Sequence, residues 1–444
     1  MWASLRVNRY QNFQSSSISG DEVRILHLPQ IDVEAADHWL GGAHGVSPLM
    51  WGFSGSVGAL SRYDYPSFRT TAEVPRADFY PRLSMPLHFD GWTFRPEAAF
   101  RETWYGKSQY PANLEQIPVV RDQGIARTDE EAGFEFRPPA LERDFSARWL
   151  NHLLGGDLRH TIEPEAQYRY VTGIDNFHQI LRFDETDVAS DTNELEYGLT
   201  QRLFLRNRHP QPCKGDQALG PAALCGGDTK DWISWFVAQK YYFQPGFGHA
   251  ITPGTPNPLV TTLDFTGVDF LTQPRHTTPV VSRLRVRTTQ NADVEWDLDY
   301  DVKQGKITSS NVFAGYQHGL YRFQFGDSYV NVPLGYTPLT TALPPAGTSP
   351  SPSSPYNQVH LTAIYGAANK LGPSGGLNVA YDLIHQQLQY GAVQGAYNWN
   401  CCGFTFQYRR FSLGSIRDDT EYFYSLNFAG FGNVGDLTHR ISLF

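Results

Sequence analysis

The sequence predicts an all-β protein, an antiparallel transmembrane β-barrel, and three observations carry that prediction. Apolar and polar residues alternate with period two over segments of about ten residues, the length that crosses a bilayer as a tilted strand. Charged residues make up only 18% of the 444, aromatics reach 14%, and there are 40 Gly and 29 Pro, a composition suited to many strands with one wet face. Short turns contrast with long loops, as a membrane-threading barrel requires. No apolar run approaches the roughly 18 residues of a spanning helix.

About 18 strands are expected from the alternation. They lie near 4–14, 22–34, 49–63, 76–88, 92–105, 131–146, 157–173, 193–206 and 231–244, then 279–290, 293–302, 306–318, 319–334, 356–369, 374–386, 388–398, 401–413 and 421–430. Tight connections such as Asp90-Gly91 and Gly372 to Gly376 alternate with long ones at 107–130, 207–230, 245–278 and 335–355, the last holding a Pro/Ser-rich loop. The barrel is thus expected to occupy 1–430, and 431–444 a C-terminal tail. Trp92, Trp104-Tyr105, Trp232 with Trp235, and Tyr241-Tyr242-Phe243 are expected as interfacial girdles, although soluble β-sandwiches also use aromatics on their core faces.

The ionic faces are the candidate lumen lining. From Asp157 to Tyr170, residues Arg159, Glu163, Glu165 and Arg169 share one face, with Leu158, Ile162 and Tyr168 on the other. Glu194, Glu196 and Arg202 continue that face on the next strand. Arg283, Arg285 and Arg287 form a basic strand, followed by Glu295, Asp297, Asp299 and Asp301 on an acidic one. Keeping both sets on one side requires partners of equal parity, so the connection must hold an odd number of residues, with three expected around Asn291-Ala292. Cross-strand ion pairs are the expected gain.

Other chemistry is excluded on the same evidence. A net charge of −9 offers no basic face for nucleic acid. Gly430 to Gly435 fits GxGxxG but is followed by too little chain for a βαβ unit. Glu163 and Glu165 lie on one strand face beside arginines, which suits ion pairing better than acid–base catalysis. No metal ligands, cofactor or catalytic residues are assigned, and no enzyme is expected. The beginning, MWASLRVNRYQ, lacks the pattern of a signal peptide.

The cysteines are Cys213, Cys225, Cys401 and Cys402, in no zinc spacing. Adjacent Cys401-Cys402 would close a strained ring, so the two are expected to reach separate partners; two small buried thiols at a strand start is the plainer alternative. Cys213 and Cys225 enclose a Gly/Pro-rich loop and are expected to bond to each other, with a free or mispaired state as the other reading.

The stretches His160 to Val171 and Asn193 to Arg202, then Cys401-Cys402 followed by Tyr408-Arg409-Arg410, with Leu28-Pro29 and Arg137 to Arg143 upstream, resemble the family of lipopolysaccharide-assembly outer-membrane proteins (LptD, also called OstA). The resemblance implies the C-terminal part of a barrel of about 26 strands, near the upper range of single-chain barrels. On it, a periplasmic jelly-roll domain and the first strands are expected to be absent from this chain. It implies a bacterial outer-membrane location and insertion of lipopolysaccharide into the outer leaflet through a polar lumen and a lateral gate between first and last strands. Implied partners are lipopolysaccharide, a plug lipoprotein (LptE-like), periplasmic bridge proteins through the N-terminal domain, and outer-membrane lipid. Cys401 and Cys402 match the cysteines that in the family bond to that domain. A passive outer-membrane porin is the alternative that the strands alone allow.

Overall fold

Extended chain stays in hydrocarbon where its backbone N–H and C=O groups pair with a neighbouring strand, and this chain supplies that pairing between successive strands of an up-and-down meander. The computed structural model describes residues 2–6, 23–43, 47–64, 68–69, 73–110, 119–145, 156–207, 229–253, 257–266, 271, 273–287, 291–331, 355–366, 371–412, 418–428 and 432–435. They build one sheet of 22 strands and a separate two-stranded ribbon. The first part contains β1 (Trp2–Arg6), β2 (Val23–Ala43), β3 (Ser47–Asp64), β4 (Phe68–Arg69), β5 (Val74–Ser84), β6 (Leu87–Phe89) and β7 (Trp92–Tyr105). The ribbon β8 (Ser108–Gln109) and β9 (Val120–Arg121) precedes β10 (Ile125–Arg137), β11 (Leu141–Phe145), β12 (Gly156–Thr172), β13 (Thr192–Asn207) and β14 (Thr229–Tyr242). Then come β15 (Val280–Arg287), β16 (Ala292–Asp301), β17 (Lys306–His318), β18 (Tyr321–Asn331) and β19 (Pro355–Tyr365). The last are β20 (Gly372–Asp382), β21 (Gln387–Asn398), β22 (Cys402–Ser412), β23 (Asp418–Phe428) and β24 (Gly432–Gly435).

Every pairing is antiparallel and every long strand pairs with its neighbours in the chain, from β1 with β2 to β23 with β24. Each expected segment meets a strand. Proline breaks two of them: β5 and β6 both pair with β7 across Met85-Pro86, and β10 and β11 both pair with β12 across Pro138-Pro139. Proline has no N–H to give the ladder, so pairing lapses there and resumes beyond.

Three differences from the sequence expectation have physical reasons. β10 begins at Ile125, inside the expected loop 107–130, because the charged run Arg127 to Glu131 masks its alternation. Within the expected loop 245–278 lies a short helix, Val260–Thr266. Gly432–Gly435, inside the expected tail, pair with Ser425 to Phe428.

One face of the sheet is apolar and open. Trp51, Phe79, Trp104, Trp235, Trp296, Phe325, Phe404 and Phe406 are exposed on it, as expected of a surface that meets lipid acyl chains. The opposite, polar face is covered in part by two connections that fold back over it. The 173–191 connection brings Leu181 and Phe183 against Leu60 and Val74. The 243–279 connection packs Phe247, Ala250, Ile251, Leu259 and Leu271 against Val171, Ile174, Phe177 and Tyr242. The small hydrophobic core of the molecule therefore sits inside the wall.

This corrects the girdle expectation. Neighbouring residues on a strand point to opposite faces, so Trp104, Tyr241 and Phe243 face outward while Tyr105 and Tyr242 are fully buried on the inner side.

Candidate functional site

The inner face of β12 to β16 gathers the ionic residues expected from parity. On β12 and β13, Glu163 stands opposite Thr200, Thr161 opposite Arg202, Gln167 opposite Glu196 and Arg169 opposite Glu194. Leu158 faces Leu205 and Tyr168 faces Leu195 on the other side. On β15 and β16, Arg283, Arg285 and Arg287 stand opposite Asp297, Glu295 and Asp293. Partner parity is equal, as expected, but the connection between Arg287 and Asp293 is longer than the three residues anticipated. Extra length at a hairpin end leaves parity intact as long as the count stays odd.

Many of these groups are paired, most of them across strands. Arg159 holds Asp144 at 2.8 Å and Glu142 at 3.6 Å. Glu165 meets Arg137 at 3.7 Å, Arg169 meets Glu131 at 3.3 Å, and Glu163 meets Arg202 at 3.9 Å. Arg285 lies 3.8 Å from Glu295, and Asp301 accepts from Arg275 at 2.9 Å. Asp299 is buried at the end of the same acidic row. The inner surface thus presents charges of both signs side by side; the exposed pairs of Arg159, Arg137, Arg202 and Arg285 are worth only about 0–1 kcal/mol each, whereas Asp301 is buried against Arg275.

A denser network holds the 173–191 segment, which the alternation could not reveal because it contains no strand. Arg76, on β5, is almost wholly buried and binds both Asp184 at 2.6 Å and Asp187 at 3.0 Å. Tyr105 donates to Asp187 at 2.7 Å, as do the backbone N–H of Phe183 and Asp184. Arg127 donates to the Thr186 carbonyl at 2.7 Å, and Arg101 to the Thr186 hydroxyl at 3.2 Å. Burial pushes the Asp187 carboxyl above the usual aspartate range, against the pull of Arg76. Burial acts on Asp184 too, but its hydrogen bond and charge contact with Arg76 outweigh it and hold that carboxyl low. The sequence signal for this segment was its apolar set Ile174, Phe177, Ile180, Leu181, Phe183 and Val188, too dense for a solvated loop.

A second cluster surrounds Lys240 on β14. Its ammonium lies 3.3 Å from both Glu194 and Glu196 and donates to the Thr261 carbonyl at 3.2 Å. Thr261 also donates its hydroxyl to Glu194, which ties the helix Val260–Thr266 to the wall. Arg283 donates to the Phe265 carbonyl at 3.4 Å from the other side.

Cys401 and Cys402 occupy the turn into β22, unbonded, with sulfurs 2.7 Å apart. Phe404 and Phe406 face outward and Gly403 and Gln407 inward, so the strand parity follows the sequence reading. Cys213 and Cys225 lie outside the described residues. Their flanks, Asn207 and Thr229, stand at the end of the wall that also carries the turns 90–91, 319–320 and 399–401, and not at the end of the other long connections. Among the described residues no group of three metal-ligating side chains occurs.

A family model described as "LptD: LPS transport system D" matches residues 1–371, which excludes the Cys401-Cys402 turn. The LPS-assembly protein LptD of Nitrosococcus oceani is 30% identical over 226 residues, a match taking in 46% of this chain and 27% of that protein. The chain therefore corresponds to well under two thirds of that relative. Among solved structures, the siderophore receptor PirA of Acinetobacter baumannii superposes with a TM-score of 0.41 at 8% identity, over 93% of this chain and 66% of its own. The ferric enterobactin receptor PfeA of Pseudomonas aeruginosa gives 0.41 at 8%, over 95% and 64%. Superpositions this loose carry no functional weight.

Proposed function

The chain belongs to the LptD family, an outer-membrane transport and assembly family and not an enzyme, and on that premise we propose that it forms wall and lumen of a lipopolysaccharide translocon. The observation that supports this most is the division of β12 to β16 into a charge-paired inner face and an aromatic, aliphatic outer one. A lipopolysaccharide must move its sugars through water and its acyl chains through hydrocarbon, so a wall with one face for each suits it. Paired inner charges present hydrogen-bonding groups without a strong field, which lets polyhydroxylated cargo slide without being trapped. The lateral exit of this reading lies beside an unpaired sheet edge, where cargo can leave sideways. A plug lipoprotein, periplasmic bridge proteins and outer-membrane lipid are its partners, and Cys401 and Cys402 bond to a periplasmic domain. The porin alternative is disfavoured by the 173–191 and 243–279 connections, which fill part of the inner space.

Photo-cross-linkers placed at Thr200, on the inner face, and at Leu199, on the outer face, test this in the full-length protein in its own outer membrane. Adducts carrying the saccharide are expected at Thr200, and phospholipid adducts at Leu199. Absence of any lipopolysaccharide adduct at Thr200, with free solute conductance in bilayers, would overturn it in favour of a pore.

A further inference from the structure

Between the inner face of β12 to β15 and the helix Val260–Thr266 lies a hollow of about 260 Å³, lined by Gln167, Arg169, Glu194, Lys240, Phe236 and Phe265 together with Glu196, Asp264 and Arg283. We propose that this hollow binds one uncharged sugar ring, a resting subsite on the sugar path; the inference rests on the translocon reading above.

Three features select that ligand class. The first is charge: cations Arg169, Lys240 and Arg283 balance anions Glu194, Glu196 and Asp264. The second is that the three cations are already engaged, Arg283 by the Phe265 carbonyl at 3.4 Å. Lys240 is held by Glu194 and Glu196 at 3.3 Å each, and Arg169 by Glu131 at 3.3 Å. A phosphate or carboxylate would have to break these pairs and meet the neighbouring carboxylates, whereas hydroxyls, each donor and acceptor at once, bridge between paired charges without separating them. The third is a flat apolar surface. Phe265 is buried against Ala238 and Val281 with Phe236 packed beside it, and Lys240 lies over the Phe265 ring at 5.3 Å. That contact leaves Phe236 as the ring for the C–H face of a sugar. A hollow of about 260 Å³ accommodates a single ring.

Saturation-transfer NMR on the full-length protein in detergent, with methyl glucoside and glucose 6-phosphate as paired probes, tests the assignment. Saturation of the methyl glucoside ring protons is expected, at least threefold above that of the phosphate. It should fall by threefold or more in Phe236→Leu, which removes the ring and keeps an apolar side chain, and in the isosteric Asp264→Asn, with the sheet content of both verified by circular dichroism. No transfer from the neutral sugar, equal transfer in both variants, or preference for the phosphate would each overturn the subsite. Saccharide adducts at Thr200 without sugar saturation would remove the subsite and leave the translocon reading intact. Saturation without adducts would leave a sugar site and remove the transport path.

Discussion

The inner face of β5 to β16 and that of β19 to β23 solve the same problem by different means. In the first, long charged side chains pair across strands, and two connections are drawn in and fixed by them, with Arg76 bound to Asp184 and Asp187 as the strongest point. In the second the buried inner side chains are mostly uncharged, Thr362, Ser374, Asn378, Gln394, Gln407 and Ser425, and the buried carboxylate of Asp382 binds only its own turn and Gln389. Their strands are joined by turns such as 383–386 and 399–401, and none of the described connections folds inward there. Charge-assisted bonds are directional and strong enough to hold a strandless segment in place; amides and hydroxyls narrow the space without anchoring anything. Local rigidity of the inner face therefore belongs to the first region.

Removing the anchor gives the largest expected effect. Arg76→Ala leaves buried Asp187 and partly buried Asp184 without their cation, a loss of about 3–5 kcal/mol for a broken buried pair. Hydrogen exchange of the amides between Ile174 and Ser190 should accelerate by two orders of magnitude or more, while β19 to β23 keep their protection. Equal loosening in both regions would erase the contrast drawn here.

Acidity should act on the same anchor in a non-monotonic way. The Asp187 carboxyl is raised, so its contribution to docking is full below the ordinary aspartate value of about 3.9 and is lost as pH rises through its elevated range. Asp184 is lowered, so its contribution is present above that value and is lost as pH falls through its depressed range. Protection of 174–190, corrected for intrinsic exchange, should peak in mildly acidic solution and decline on both sides. Asp184→Asn should remove the acid-side decline only. A single sigmoid would mean that the two carboxylates do not divide their roles as the geometry implies.

What was legible in the sequence divides along the same line. Period two is written into a strand by the burial of one face, so Glu163, Arg202, Arg285 and Glu295 could be assigned to a common side without coordinates. It also correctly paired the basic strand with the acidic one. Parity read with less care misled: Tyr105 and Tyr242 were grouped with their outward neighbours as girdle residues, although a strand must turn adjacent side chains to opposite faces. Where the anchored segment docks was illegible for a different reason. Arg76 lies more than a hundred residues along the chain from Asp184 and Asp187, and nothing periodic links a loop to the distant strand on which it docks. The hollow around Lys240 was half visible, since Glu194 and Glu196 lay on the expected face, while Phe265 and Asp264 came from a helix inside what read as a loop.

The smallest expected effect concerns the register of the ionic wall. Arg285→Glu sets two carboxylates opposite each other on β15 and β16, where the native pair stands at 3.8 Å with both side chains about half exposed. A wet cross-strand pair contributes about 0.2–1 kcal/mol, and like charges directly opposite cost a similar amount. Thermal unfolding in detergent should therefore shift downward by only a few degrees, and the double exchange Arg285→Glu with Glu295→Arg should restore most of it. Rescue by the second substitution is what separates a cross-strand ion pair from independent effects at two positions, because only a true pair is indifferent to which strand carries which sign. Added salt should shrink the single-variant loss, since the pair is open to solvent. If the double exchange adds a second loss instead, the two residues act separately, and charge pairing on this face organises only the buried anchor at Arg76 and not the wall as a whole.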